Sequence, residues 1–210
     1  MRRTRVLLTA VAVFGGICWI FPPFRIVSLS QARAARQQAA FNPAEYARVF
    51  WTNRLLPSLD RATDAATLIA ALQQDSATAA HRHGRFVGLG GSAFYFLRGA
   101  GTVVSVERRG VGIALRADAP AEVFLQTGLL FGNALRDATG LLNVSAFPNS
   151  QDFNDLSTEL NRRVETGVIP DLKTSAAPGR RVHFIGCAEV EADADDVIPL
   201  KVVPIRVQFE

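Results

Sequence analysis

The chain has 210 residues, of which 49% are hydrophobic and 20% are charged, and its formal net charge at pH 7 is +4. This composition is typical of a folded domain with a sizeable core and excludes an intrinsically disordered chain. The excess positive charge comes from Arg2, Arg3, Arg5 and Arg25, which flank the first apolar segment. Without them Lys and Arg fall from 23 to 19, which equals the 19 Asp and Glu. Because binding to nucleic acid needs a net basic patch, we expect no nucleic-acid partner.

Residues 1–25 have the layout of a signal peptide or a signal anchor. Residues 1–5, which include three arginines, precede the uncharged and mostly apolar residues 6–24. This order is typical of export signals. About 19 residues rising ~1.5 Å each barely cross a hydrocarbon core of ~30 Å. Since the basic end stays in the cytoplasm, we expect the body of the protein in the periplasm.

The sequence leaves three fates open for this segment. Signal peptidase would use residues 32–34 (Ala-Arg-Ala), and lipidation would use Cys18. Ile17 stands before Cys18, where lipidation prefers a small residue. We favour the third fate, an uncleaved anchor in the inner membrane that is followed by a stalk over residues 26–42. A disulfide between Cys18 and Cys187 is not expected, because the two cysteines occur in unlike contexts.

Residues 43–84 are predicted to form a helical hairpin. Asn42 is a suitable N-cap with Pro43 at the first helical position, and apolar residues then recur at helical spacing as far as Pro57. A second helical pattern covers residues 64–80. We expect both helices to pack against a larger body.

His81 and His83 follow the second helical pattern. Two histidines at a helix end diverge, and no carboxylate or cysteine stands nearby to complete a metal site. We therefore predict that they belong to a capping segment that ends at Gly84, with no metal bound.

From residue 85 the hydrophobic period becomes alternating, which predicts β-strands. Four strands are predicted between glycine-rich and charged turns: residues 93–97, 101–107, 110–116 and 121–129. Residues 88–93 (GLGGSA) loosely match a dinucleotide-binding loop, but that motif requires a helix to follow. Since strand residues follow here, we expect a glycine-lined turn and no cofactor.

Residues 121–142 contain the best candidate for a binding site. An alternating strand passes through Gly128 into the polar turn 132–137 (GNALRD). There Asn133, Arg136 and Asp137 crowd polar groups beside an apolar run, and we take these three as the ligand-binding residues. Two interpretations stay open: Arg136 and Asp137 satisfy each other or the neighbouring backbone, or they bind an anion or a polyol.

A helix over residues 151–164 and two strands over 181–190 and 200–209 complete the predicted elements. The acidic residues 189–196 lack the spacing of an EF-hand loop, so we expect a solvated turn. Because three strands, a helix and two strands is the element order of an OB fold, the predicted fold class is α+β. It comprises an N-terminal membrane helix, the helical hairpin and an OB-like five-stranded β-barrel over residues 85–210 with a helix between strands 3 and 4.

Four segments together resemble a known family. They are Phe41-Asn42-Pro43 through Tyr46, Trp51 and residues 55–59 (LLPSL), then 96–101 (FLRGAG), 132–138 (GNALRDA) and 181–186 (RVHFIG). They resemble a bacterial family of predicted periplasmic lipoproteins of unknown function over residues 41–210, and the G-x-A-L-R-D run is the most specific part. Members are often associated with sugar ABC transporters. The resemblance therefore implies an accessory role in carbohydrate uptake, with a transporter component or a small polar ligand as partner.

The sequence favours a membrane-tethered, periplasmic, non-enzymatic binding or accessory protein. The family has no established catalytic residues, and the chain lacks a G-x-S-x-G or zinc signature. Two alternatives stay open. One is a hydrolytic enzyme that uses Asp137 and His183 as acid and base, and the other is a purely structural scaffold of the envelope.

Overall fold

A computed structural model describes Ser28 and residues 41–88, 91–191 and 197–210. The chain divides into two compact units, Met1–Phe41 and Asn42–Glu210. The predicted membrane segment with Cys18 and nearly all of the stalk, including residues 32–34, lie outside the described residues. Among the described residues, no helix has both the length and the apolar character that crossing a membrane requires.

Five strands of the second unit pair in a closed ring. The strands of this unit are β1 (Thr63–Asp64), β2 (Arg85–Phe86), β3 (Ala93–Glu107), β4 (Gly110–Ala114), β5 (Val123–Gln126), β6 (Arg181–Val190) and β7 (Leu200–Phe209). Antiparallel pairing joins β3 to β4 and β4 to β5, and a parallel pairing joins β5 to β7. Strand β7 pairs with β6, and β6 returns to β3. Closure reduces the unpaired strand edges that attract other chains, while the short β1 and β2 add to β3.

The α-helices among the described residues are α1 (Pro43–Phe50), α2 (Ala65–Gln74), α3 (Ser76–His83), α4 (Ala134–Asp137), α5 (Ser150–Gly167) and α6 (Ile169–Ser175). The predicted capping of α1 is confirmed, because Asn42 Oδ1 accepts a hydrogen bond of 3.1 Å from the Glu45 amide. Asn149 caps α5 in the same way, accepting from Asp152 N at 2.9 Å. Helix α1 continues into a π-helical turn, Trp51–Leu55, and a 3-10 turn, Leu56–Arg61.

The strands predicted at residues 93–97 and 101–107 are one continuous strand, β3, so the predicted turn between them is wrong. Gly99 and Gly101 permit close packing there instead of a turn. A Cβ on Gly99 would lie 2.8 Å from the Phe184 ring, and one on Gly101 would overlap the carbonyl oxygen of Ala114. Sequence alone does not distinguish a glycine that turns the chain from one that admits a neighbour.

The predicted helical hairpin is also different in the structure. Asp75 lies in an extended conformation with φ −160° and caps α3 by accepting from Thr78 N at 3.1 Å, which divides the predicted helix 64–80 into α2 and α3. Helix α1 and its extension belong to one hydrophobic cluster together with α5. Helices α2 and α3 contribute side chains to a second hydrophobic cluster. This cluster also contains the side chains that the five strands direct into the ring. The domain boundary drawn at residue 84 stays a prediction.

The alternation of β3 explains how one strand serves both clusters. Tyr95 and Leu97 point into the cluster inside the ring, whereas Phe94 packs in the cluster with α1 and α5. Tyr95 and Phe184 are each 1% exposed. Burial of an aromatic or aliphatic side chain of this size stabilises the fold by about 1.5–3 kcal/mol. Because β3 contributes such side chains to both clusters, it packs against helices on both of its faces.

Candidate functional site

Two of the three predicted site residues form a buried ion pair. Arg136 is 6% exposed and Asp137 is 4% exposed, and two parallel hydrogen bonds of 2.8 Å join the guanidinium Nε and Nη2 to the carboxylate oxygens. The guanidinium also lies 3.9 Å from the centre of the Phe153 ring. The first of the two interpretations of this pair is therefore the one observed. Neither side chain is exposed to bind a ligand directly.

The remaining donor of Arg136 reaches helix α5. Its Nη1 donates to Asn154 Oδ1 at 3.0 Å and to the Phe153 carbonyl oxygen at 3.4 Å. Since the carbonyl oxygen of the Asn154 amide is held by Arg136, its amide nitrogen faces the other way. Asp137 fixes Arg136, and Arg136 in turn fixes the orientation of Asn154.

Asn133 lies at the entrance to α4 and is half-buried. Its backbone oxygen accepts from Arg136 N at 3.0 Å and Asp137 N at 2.9 Å, and its Oδ1 accepts from Ser157 Oγ at 2.9 Å. Unlike Arg136 and Asp137, Asn133 lines an open cavity. The structure therefore places the three predicted residues together but gives only Asn133 access to a ligand.

Helix α5 holds the loop before α4 through a row of polar side chains. Glu165 Oε1 accepts from Leu130 N at 2.7 Å, Asn161 Nδ2 donates to Gly132 O at 3.1 Å, and Ser157 binds Asn133. Residues 157, 161 and 165 are four apart and so share one face of the helix. Three anchors over four loop residues fix the conformation of the loop.

The anchored loop presents two apolar side chains to solvent. Leu129 is 77% exposed and Phe131 is 82% exposed, whereas Leu130 between them is 5% exposed. Large apolar side chains exposed next to each other are informative, because such patches often mark binding surfaces.

A groove of about 690 Å³ lies between this loop and helix α5, and we call it the α5 groove. Its lining is polar along the helix and apolar at the loop: Leu129, Leu130, Phe131, Gly132, Asn133, Asn154, Ser157, Thr158, Asn161, Arg162 and Glu165. Within the described ranges, the Asn154 amide nitrogen and Glu165 Oε2 make no hydrogen bond, so the groove offers a free donor and a free acceptor. A hydrogen bond to Glu159 raises the pKa of Arg162 above its ordinary value, which keeps this group cationic.

The other candidates from the sequence lie elsewhere. His183 lies on the exposed face of β6, with Nε2 2.7 Å from Glu210 Oε1, whereas Asp137 is buried against Arg136, so the proposed acid and base have different surroundings. In the part of the chain that the structure describes, no group of three or more His, Cys, Asp or Glu is arranged to hold a metal. Gly84 ends α3 as predicted, but its φ of −88° is ordinary. Glycine is needed there because a Cβ would lie 2.6 Å from the Ala80 oxygen.

Sequence reasoning missed the polar residues of α5 that build the groove. Ser157 and Asn161 are buried and lie beside the apolar stripe of the helix, where the pattern suggested only packing. The available signal was the spacing of Ser157, Asn161 and Glu165, combined with the nearby Leu-Leu-Phe run. Neither is decisive without the fold that brings residues 130 and 165 together.

The strand pairing and the helix between β5 and β6 define an OB fold with added helices. A solved structure of an OB-fold protein from Thermotoga maritima is similar, with a TM-score of 0.74 and 25% sequence identity, and the match covers 81% of this chain and 99% of that chain. The chain belongs to the family described as predicted periplasmic lipoprotein (DUF2291), whose model matches residues 8–208. No curated protein matches the chain. The family inferred from the motifs and the OB-like class inferred from the element order are thus confirmed.

Proposed function

We propose that this protein is a non-enzymatic accessory protein of the periplasm that binds a small polyhydroxylated ligand of the sugar class in the α5 groove. The basic and apolar character of residues 1–25 supports a tether to the inner membrane. The family description supports a periplasmic body. Association of the resembling family with sugar ABC transporters supports a role beside carbohydrate transport.

The observation that carries the proposal is the composition of the α5 groove. Amide, hydroxyl, guanidinium and carboxylate groups line one wall, and the exposed Phe131 ring stands at the loop. Sugar hydroxyl groups both donate and accept hydrogen bonds, so a mixture of these side chains satisfies them. A few fixed polar groups beside apolar surface are typical of small-molecule sites, and the volume of about 690 Å³ lies within their usual range.

The buried pair Arg136 and Asp137 supports this site from behind. Arg136 holds the carbonyl of Asn154 at 3.0 Å and leaves the amide nitrogen to donate into the groove. A bound ligand would thus contact Asn133 and Asn154, while Arg136 and Asp137 act as positioning residues. Groups fixed in advance bind more tightly because less conformational entropy is lost on binding.

The test is a titration of the full-length protein with neutral monosaccharides and disaccharides, followed by calorimetry and thermal unfolding. A sugar at about 100 times its dissociation constant should stabilise the fold by about 2.7 kcal/mol. Two threonines of α5 provide a matched pair of variants, because each donates to the carbonyl four residues earlier. Thr158→Ala, inside the groove, should weaken binding, and Thr166→Ala, outside it, should not.

Phe131→Ala supplies the second variant, because it removes the aromatic surface and leaves the loop anchors in place. A sugar panel without any saturable heat or thermal shift would refute the proposal. Equal affinities in wild type, Thr158→Ala and Phe131→Ala would place the binding site elsewhere.

A second candidate function, docking to a transporter component, rests on the exposure of Leu129 and Phe131. A rigid loop that presents two apolar side chains with Arg162 at the rim has the composition of a protein interface. A photo-crosslinker placed at position 129 should then capture a membrane transporter subunit in cells. Capture that persists in Thr158→Ala but is lost in Phe131→Ala would favour docking over sugar binding.

A further inference from the structure

The geometry points to a second binding site, for a neutral single-ring compound that carries one hydroxyl or carbonyl group, between helices α2 and α3 and the start of β3. The site is a cavity of about 270 Å³ that we call the α3 pocket. Its walls include Leu72, Ala80, Phe86, Tyr95 and Val190. It shares none of these residues with the α5 groove, so its occupation is independent of the function proposed above.

The first observation is a tyrosine hydroxyl group that faces the α3 pocket and has no partner among the described residues. Tyr95 is 1% exposed, lines the α3 pocket, and makes no hydrogen bond to the described residues. Its hydroxyl is the sole polar atom of the side chain. The hydroxyl is not among the buried polar atoms that lack a partner, so it is open to the α3 pocket and can form a hydrogen bond with a ligand atom there.

The protonation state of Tyr95 suits a hydrogen bond to a neutral ligand. Burial raises the pKa of Tyr95 above its ordinary value, so the phenol stays protonated at neutral pH and can donate as well as accept. An oxygen of a ligand hydroxyl or carbonyl group is a suitable partner. An ionised ligand is not, because removing a charge from water into an apolar pocket is costly.

The second observation is the apolar wall. Leu72, Ala80, Ala93 and Val190 line the α3 pocket with aliphatic surface, and Ser76 and Glu191 add polar groups to the lining. Such walls bind a hydrocarbon ring by burial of its surface and reject a sugar, whose hydroxyl groups would be left unsatisfied. The lining of the α3 pocket is therefore more apolar than that of the α5 groove.

The third observation is a pair of rings that line the α3 pocket. His81 and Phe86 lie with their centroids 5.3 Å apart at an angle of 42°, and Phe86 is 46% exposed. Strand β2 fixes this position, because Phe86 pairs with Ala93 of β3. Aromatic side chains favour edge or offset contact with another ring, which favours a ring over an aliphatic chain as ligand.

The volume limits the size of the ligand. A cavity of about 270 Å³ lies just below the usual range of about 300–1,000 Å³ for small-molecule sites, so it suits a small ligand. A phenol or a benzyl alcohol has this size and carries one hydroxyl group.

The test uses 4-fluorophenol and fluorobenzene as probes in fluorine NMR titrations of the full-length protein in detergent. Partition into micelles is the same for every variant, so differences between variants report the protein. We expect saturable binding of 4-fluorophenol to the wild type. Tyr95→Phe should weaken it about three- to tenfold, the usual effect of one hydrogen bond, and should leave fluorobenzene binding unchanged.

Two further variants locate the site. Tyr46→Phe removes the hydroxyl of a tyrosine outside the α3 pocket and should bind 4-fluorophenol as the wild type does. Ala80→Leu fills the pocket and should abolish binding of both probes, provided that its circular dichroism spectrum shows a native fold. No saturable binding to the wild type, or an unchanged affinity of 4-fluorophenol for Tyr95→Phe, would overturn the proposal, whatever the behaviour of Ala80→Leu.

Discussion

Replacement of Asp137 with alanine should test whether the buried ion pair organises the site. The two side chains are 7% and 4% exposed, and Arg136 makes both of its short contacts to the carboxylate at 2.8 Å. Without Asp137 the guanidinium stays buried with no counter-ion. Removing one partner of such a pair destabilises a protein by about 3–5 kcal/mol, so we expect a loss of this size in Asp137→Ala.

Urea unfolding followed by tryptophan fluorescence measures this loss. Trp51 lies in the same hydrophobic cluster as Phe153, which packs against Arg136, and its emission therefore reports on the unfolding of this region. With a slope of about 2 kcal/mol per molar urea, the midpoint should fall by roughly 1.5–2.5 M. The double variant Arg136→Met with Asp137→Leu should recover much of the loss, because it leaves no buried charge.

The exposed pair of Arg48 and Glu45 serves as the control. Its side chains are 57% and 55% exposed, and solvent screens such pairs. Glu45→Ala should therefore leave the midpoint unchanged. A loss below about 1 kcal/mol in Asp137→Ala, as for a surface pair, would refute the reasoning, as would a double variant less stable than Asp137→Ala.

Three further predictions follow from buried positions. Cys187 is buried, and burial raises the pKa of its thiol. In a Cys18→Ser variant, thiol reagents should therefore react with Cys187 only after unfolding. Rapid labelling of the native protein would contradict the burial of Cys187. Gly186→Ala should destabilise the fold by about 1–3 kcal/mol, because a Cβ would overlap the Val203 carbonyl. Gly167→Ala, with no atom within 4 Å of its Cβ, is the control for the same urea measurement. Because the pKa of Tyr95 is raised in the folded state, its contribution to stability is complete below pH of about 10 and declines above it. This alkaline loss should be smaller in Tyr95→Phe, and identical profiles would contradict the assignment.

The sequence by itself determined the elements that depend on local pattern. Strands β6 and β7 occupy the residues that their alternation predicts, and helix α5 follows its apolar stripe. The predicted cap Asn42 acts within three residues of its own position. The family motifs and the order of the elements also sufficed for the family and the OB-like class. All of these signals are read from neighbouring residues, where periodicity and side-chain capping govern the backbone.

The tertiary structure alone decided which polar residues meet and which are hidden. Arg136 and Asp137 formed a plausible ligand-binding pair in the sequence, but packing against Phe153 of α5 buries both. The α5 groove depends on contacts such as Leu130 with Glu165, which are 35 residues apart. Likewise Tyr95 and Val190 both line the α3 pocket, and they come close only because β3 pairs with β6 in the folded ring. Sites of this kind arise where distant segments close against one another, and no local pattern in the chain encodes which segments these are.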